Sequence, residues 1–246
     1  MLRGLFKLTW LETKIFLREP LGVLGTVGVP ILMFLILQRL GRAAPRGGAP
    51  SLFGRDLPIF AAIMVAVSAV VSLVAIIAIY REGGILKRLR ATPLRPVTIL
   101  LAHVLVKLGF TGLSLAVLVL FGARATGPEP TGHLASFAVA LLFTTLCLLS
   151  IGFIIASVVP TARFAQPLAT IVVYAMLGLS GLFVPLERLP GALQVVGRLL
   201  PMSHAVSLLR GIWRGEGWLA HAPEVAILAV MFLAATAISA RVFRWE

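Results

Sequence analysis

Four stretches of this chain run for about twenty residues or more without an Asp, Glu, Lys or Arg. They lie between Glu19 and Arg39, Asp56 and Arg81, Glu129 and Arg163, and Arg163 and Glu187. A helix rises ~1.5 Å per residue and the hydrocarbon of a bilayer is ~30 Å thick, so ~20 apolar residues suffice to cross it. A fifth segment, Val97 to Gly122, is broken only by His103 and Lys107, and a sixth, Leu219 to Ala240, has its longest uncharged run after Glu224. The chain is 59% apolar and 13% charged, with a mean hydropathy of +1.03. That is too little charge to cover a soluble domain of 246 residues. The runs lack the alternation of an outer-membrane barrel, and an open strand edge in lipid would leave backbone groups unpaired. The expected fold is an all-α membrane protein, one transmembrane domain over residues 1–246. Its spans are expected near 21–40, 57–80, 97–122, 133–158, 164–185 and 219–240. Pro30, following Gly22, Gly25 and Gly28, should bend the first span, and Pro160 and Pro167 should bracket the turn between the fourth and fifth.

Six crossings put both termini on one side. Twelve Lys and Arg fall on that side and nine on the other, which favours cytoplasmic termini by the positive-inside rule. The net charge of +13 sits in short clusters between apolar runs, where head groups meet water, and this argues against a nucleic-acid partner. On a helix of ~100° per residue, Arg3, Lys7, Lys14 and Arg18 share an arc of roughly 60°, among Leu5, Phe6, Trp10, Ile15 and Phe16. Residues 1–20 thus read as an interfacial helix lying on membrane lipids and ended by Pro20, rather than as a cleavable leader. The lone Cys147, in an apolar run, can build neither a disulfide nor a cysteine metal site, and no metal site is expected.

The segment 81–96 carries the sharpest local pattern. Gly83 and Gly84 allow the chain to leave the second span and turn. Ile85, Leu86 and Leu89 then fall within ~100° of one another on a helix, while Lys87, Arg88 and Arg90 point elsewhere. Pro93 stops that short helix and Pro96 opens the next span. An apolar ridge of this kind suits a groove on a cytoplasmic partner, although a basic loop on lipid would share the pattern.

Glu82, Gly84, Leu86, Leu89, Arg90, Thr92 and Pro93 match the coupling loop of a known family. The chain resembles the permease subunits of ATP-binding-cassette exporters of the type-2 class, with Ile85 standing where many relatives have Thr. A second match is Leu179-Ser180-Gly181-Leu182-Phe183-Val184-Pro185, followed by Leu189-Pro190, Leu193-Gln194, Leu200-Pro201 and Leu209-Arg210. It is similar to that family's fifth-span end and the short helices that re-enter the outer leaflet before the sixth. Leu189, Leu193, Val196 and Leu200 form a stripe too short to span. The resemblance implies an outer re-entrant region at Ser180, Gly181, Pro185, Leu189, Pro190 and Pro201, and a cytoplasmic ATPase subunit seated on the coupling loop. It also implies a second permease copy, as a homodimer, in the plasma (inner) membrane. No Gly-x-x-x-x-Gly-Lys-Ser/Thr occurs in the chain, so ATP and Mg belong to the partner, and neither a cofactor nor a catalytic residue is expected here.

Several residues carry two readings. Lys107 either faces a carboxylate or an anionic substrate inside the bundle, or snorkels to the cytoplasmic interface, which is the simpler expectation. Gly178-Leu-Ser-Gly181 echoes an intramembrane serine protease, but the last span supplies no histidine at depth, so close helix packing is preferred. Glu187 and Arg188 could pair with each other or with Arg198 at the outer mouth, or lie exposed. Tyr174 and Phe183 are candidates for a substrate path. The expected activity is export of hydrophobic or amphipathic small molecules such as drugs or antibiotics. Polysaccharide or lipid-linked glycan export is the alternative within the class. An ion-coupled transporter is disfavoured because no Asp or Glu falls inside the five clear spans.

Overall fold

A computed structural model describes residues 2–43, 57–84, 96–126, 133–159 and 161–242. Among them all regular structure is helical: α1 (Leu2–Arg18), α2 (Pro20–Val23), a π-turn (Leu24–Gly28) and α3 (Val29–Ala43). There follow α4 (Leu57–Glu82), α5 (Pro96–Thr126), α6 (Leu134–Val158) and α7 (Ala162–Gly178). A 3-10 turn (Leu186–Arg188) leads into α8 (Gly191–Leu199), α9 (Pro201–Trp213) and α10 (Ala222–Val242).

Four of these are each long and apolar enough to cross a membrane, at Ile59–Glu82, Thr98–Leu120, Leu134–Val158 and Ala222–Ser239. The six expected spans thus reduce to four uninterrupted ones among the described residues, and the reasons are local. Pro30 has no N–H for the Thr26 carbonyl, and the run from Pro20 to Ala43 meets it with a wide turn in which Val29 N–H bonds Leu24 O. The fifth helix, expected over 164–185, begins at Ala162 and stops at Gly178, because Gly181 turns the chain at φ +78°. Pro167 lies inside α7 rather than in the turn before it, and Pro160 lies outside the described residues. The helices α8 and α9 meet at 76°, either a broken span or a re-entrant pair.

The core centres on α4 and α6, with α5, α7, α9 and α10 around them. Gly152 sets the closest approach of the central two, since a Cβ there would stand 3.2 Å from Val70 and 3.3 Å from Val74. Cys147 is buried in this core, as a small hydrophobe should be. Helix α1 stands apart, packed on α5 through Phe16, Val106 and Phe110, with the two phenyl centroids 4.5 Å apart. Ring contacts fix the two ends. Phe60 meets Phe183 and Phe137 meets Trp213 at the end where α4 and α6 begin. Tyr80 meets His103 at the other end, where α4 finishes and α5 starts.

Candidate functional site

At the end where α4 finishes, the helix runs through Arg81-Glu82 and closes on Gly83 and Gly84. Gly83 N–H bonds Ile79 O at 2.9 Å, and Gly84 adopts φ +66°, the left-handed turn that ends a helix. The remaining residues proposed for the coupling loop, Ile85, Leu86, Leu89, Arg90, Thr92 and Pro93, lie outside the described residues. What the structure adds is an anchor immediately before them. The Arg81 guanidinium donates to Ala156 O at 2.9 Å, to Ser157 O at 3.0 Å and also to Val159 O. These carbonyls close α6, where the helix dipole leaves partial negative charge and no N–H partners remain. The end of α4 is therefore tied to the end of the central helix α6. Only tertiary folding pairs these two helix ends; the sequence shows Arg81 as one more flanking cation.

The same end holds a buried charged cluster. Lys107 is 1% exposed, His103 3% and Glu12 5%. The snorkelling expectation for Lys107 is thereby overturned: its ammonium donates to Ser72 Oγ at 2.6 Å and lies 4.1 Å from the centre of the Phe16 ring. Glu12, from α1, accepts from Tyr80 Oη at 3.1 and 3.2 Å and stands 3.6 Å from His103 Nδ1. Burial holds the Glu12 carboxyl above its ordinary range, while the Tyr80 hydroxyl and the Lys107 charge favour its ionised form. A signal for this did exist. On a helical wheel Glu12 falls opposite the arc of Lys7, Lys14 and Arg18, on the Phe16 face. Searching only the spans for carboxylates passed it by.

At the opposite end, Ser180, Gly181 and Pro185 line a polar cavity of about 270 Å³ together with Ser203, Ser207 and Arg210. Ser180 Oγ donates to Leu177 O at 2.6 Å and accepts from Leu182 N, which shapes the turn after α7. Ser203 Oγ donates to Gly197 O at 2.5 Å, locking α8 onto α9. Gly197 is needed there, since a Cβ would stand 2.7 Å from Leu186 Cδ2 and 2.8 Å from Leu179 O. His221 pairs with Glu216 at 2.7 Å and sits against Gly211, so Ser180 and His221 share no hydrogen bond and the protease-like reading has no base for its serine. Pro190 and Pro201 open α8 and α9 at their first turns, and Gln194 Nε2 braces Leu189 O at 2.9 Å. Glu187 and Arg188 lie exposed in the 3-10 turn. Leu193, Val196, Tyr174 and Phe183 all face outward from the chain, Phe183 resting on Phe60 at 5.8 Å.

Among the described residues no group of His, Cys, Asp and Glu could hold a metal ion. Similar proteins include nodulation protein J of Rhizobium meliloti (strain 1021), 34% identical over 76 residues, or 31% of this chain and 29% of that one. Nodulation protein J of Rhizobium leguminosarum bv. viciae is 28% identical over 105 residues, 41% of this chain and 40% of its own length. The chain thus spans less than half the length of these relatives. The family model described as "ABC-2 type transporter" matches residues 3–213, from α1 through α9, and the chain belongs to that family as a membrane component of a transporter.

Proposed function

We propose that this chain is the permease half of an ATP-driven exporter in the plasma membrane. It works with a cytoplasmic ATP-binding-cassette ATPase subunit and a second copy of itself. The observation that carries this reading is the Arg81 anchor, which makes the ends of α4 and α6 one mechanical unit. A partner gripping the ridge of Ile85, Leu86 and Leu89 would push on the two helices at the centre of the bundle rather than on a free loop. ATP closes the ATPase dimer, the ridge moves with it, the helices re-pack to open outward, and hydrolysis resets them.

Both termini lie in the cytoplasm, and the basic face of α1 meets lipid head groups. The interrupted run Pro20–Ala43 and α7 complete six crossings, with α8 and α9 re-entering from outside. Cargo passes between two copies and is a hydrophobic or amphipathic small molecule, such as a drug or antibiotic. A polysaccharide or lipid-linked glycan is the second reading, favoured by the hydroxyl-rich and charged lining of the outer cavity. The test is co-expression with candidate ATPase subunits, followed by purification of the native and Leu89→Glu chains. Retention of an ATPase by the native chain and its loss from the variant supports the reading. Transport by the purified chain alone, or an ATPase indifferent to Leu89→Glu, refutes it.

A further inference from the structure

We infer that Glu12, His103 and Lys107 form a polar latch that holds α1 against α4 and α5, and that α1 is through it a positioning element of the transport cycle. The role in the cycle rests on the ATP-driven reading above; the latch itself rests on geometry.

Three helices supply the cluster: Glu12 from α1, Ser72 and Tyr80 from α4, His103 and Lys107 from α5. Successive turns correspond. Glu12 meets His103, and Phe16, one turn on, meets Lys107 and Phe110. Helix α1 therefore runs beside α5 over this stretch, while its Phe6, Trp10 and Leu17 face outward.

An amphipathic helix that served only to rest on lipid would have no use for a carboxylate on its inner face. Apolar contacts of the Phe16–Phe110 kind would hold it without the desolvation of an ammonium and a carboxylate. Buried polar and charged groups make the docked position conditional instead. Glu12 has its Tyr80 hydroxyl, His103 Nδ1 at 3.6 Å and the field of Lys107 only when α1 is seated. His103 Nε2 remains buried without a hydrogen-bond partner even then, so the seated network is not saturated, and a second arrangement would relieve it. Tyr80 directly precedes the Arg81 anchor, so motion at the end of α4 reaches the latch within one residue.

The experiment places nitroxide labels on cysteines introduced at Lys14 and Leu101, both exposed, in the full chain reconstituted into lipid nanodiscs. The buried Cys147 is left in place. Electron–electron distance measurement should give one narrow distance. Glu12→Lys sets a second cation in the field of Lys107, and Lys107→Glu sets a carboxylate in the field of Glu12 and Glu19. Each should shift α1 toward release by roughly a hundredfold and broaden the distance. Reversing all three charges, with Glu19→Lys added to the two, should narrow it again. A narrow distance in either single reversal, or a broad one in the triple, overturns the latch. Should neither single reversal insert, Tyr80→Phe removes only the hydroxyl on Glu12; a broadened distance then supports the latch and an unchanged one overturns it.

With the ATPase co-reconstituted, the single reversals should lower transport per ATP hydrolysed and the triple reversal should restore it. Unchanged coupling in the single reversals removes α1 from the cycle. If no ATPase binds the native chain, the ATP-driven reading falls while the distances still decide the latch.

Discussion

Two glycines of α8 make a matched test of the end of the bundle opposite Arg81. Gly197 faces the turn after α7, and a Cβ there would stand 2.7 Å from Leu186 Cδ2 and 2.8 Å from Leu179 O. Gly191, at the start of the same helix, has nothing within 4 Å of the corresponding position. Alanine gains ~1 kcal/mol over glycine in a helix interior, so Gly191→Ala should be neutral or slightly stabilising. Gly197→Ala should gain the same amount and lose more. The Leu186 tip can rotate away, but the Leu179 carbonyl is backbone and stands 3.3 Å from Ser203 Oγ, whose one proton it shares with Gly197 O. Overpacking of this kind costs ~1–3 kcal/mol. The expected net loss is up to ~2 kcal/mol, a fall in Tm of up to about 8 °C for a chain of this size. Thermal unfolding of the two variants in the same detergent, followed by intrinsic fluorescence, measures the difference. If Gly197→Ala melts with Gly191→Ala and the native chain, α8 is not seated against the turn after α7.

Arg81→Gln removes a charged cap from three carbonyls of α6 and should cost ~2–4 kcal/mol, seen as a lowered Tm and as weaker coupling of ATP hydrolysis to transport. Arg81→Lys should restore little of it, because one ammonium cannot span a fork of carbonyls at that geometry. Gly152→Leu should push α4 and α6 apart where Val70 and Val74 stand closest, costing ~1–3 kcal/mol or preventing insertion; a native-like melt would refute the close packing. Leu89→Glu should release the ATPase subunit while leaving the melting of the permease unchanged, as affinity purification and a thermal scan would report.

The outline of the fold was legible because lipid imposes a length rule. A charge inside hydrocarbon is costly, so the gap from Asp56 to Arg81 marks α4 almost to the residue, and the gap from Glu129 to Arg163 encloses α6 with about four residues to spare at each end. Turn chemistry was legible for the same kind of reason. Gly84 at φ +66° occupies a backbone state that other residues enter at a penalty, whereas Gly181 at φ +78° fell inside a run expected to be helical. Helix interruptions were harder to read. An uncharged run ending at Glu187 looks like one span, yet Ser180 bonds its own turn and α7 ends at Gly178. Hydropathy registers transfer free energy summed along a chain, and it carries no record of where backbone hydrogen bonds change partners.

By itself, the sequence determined that this chain is helical and membrane-embedded, where its central helices begin and end, and that Gly-turns punctuate them, because each of these follows from local cost per residue. Tertiary structure alone decided which ends meet. Arg81 reaches the last carbonyls of α6 across 75 to 78 positions of chain, and Tyr80 reaches Glu12 across 68. Lys107 lies buried beneath Phe16 instead of at the surface. Such pairings depend on which faces of which helices are brought together, and a charge can remain in the interior only where the fold supplies its partner.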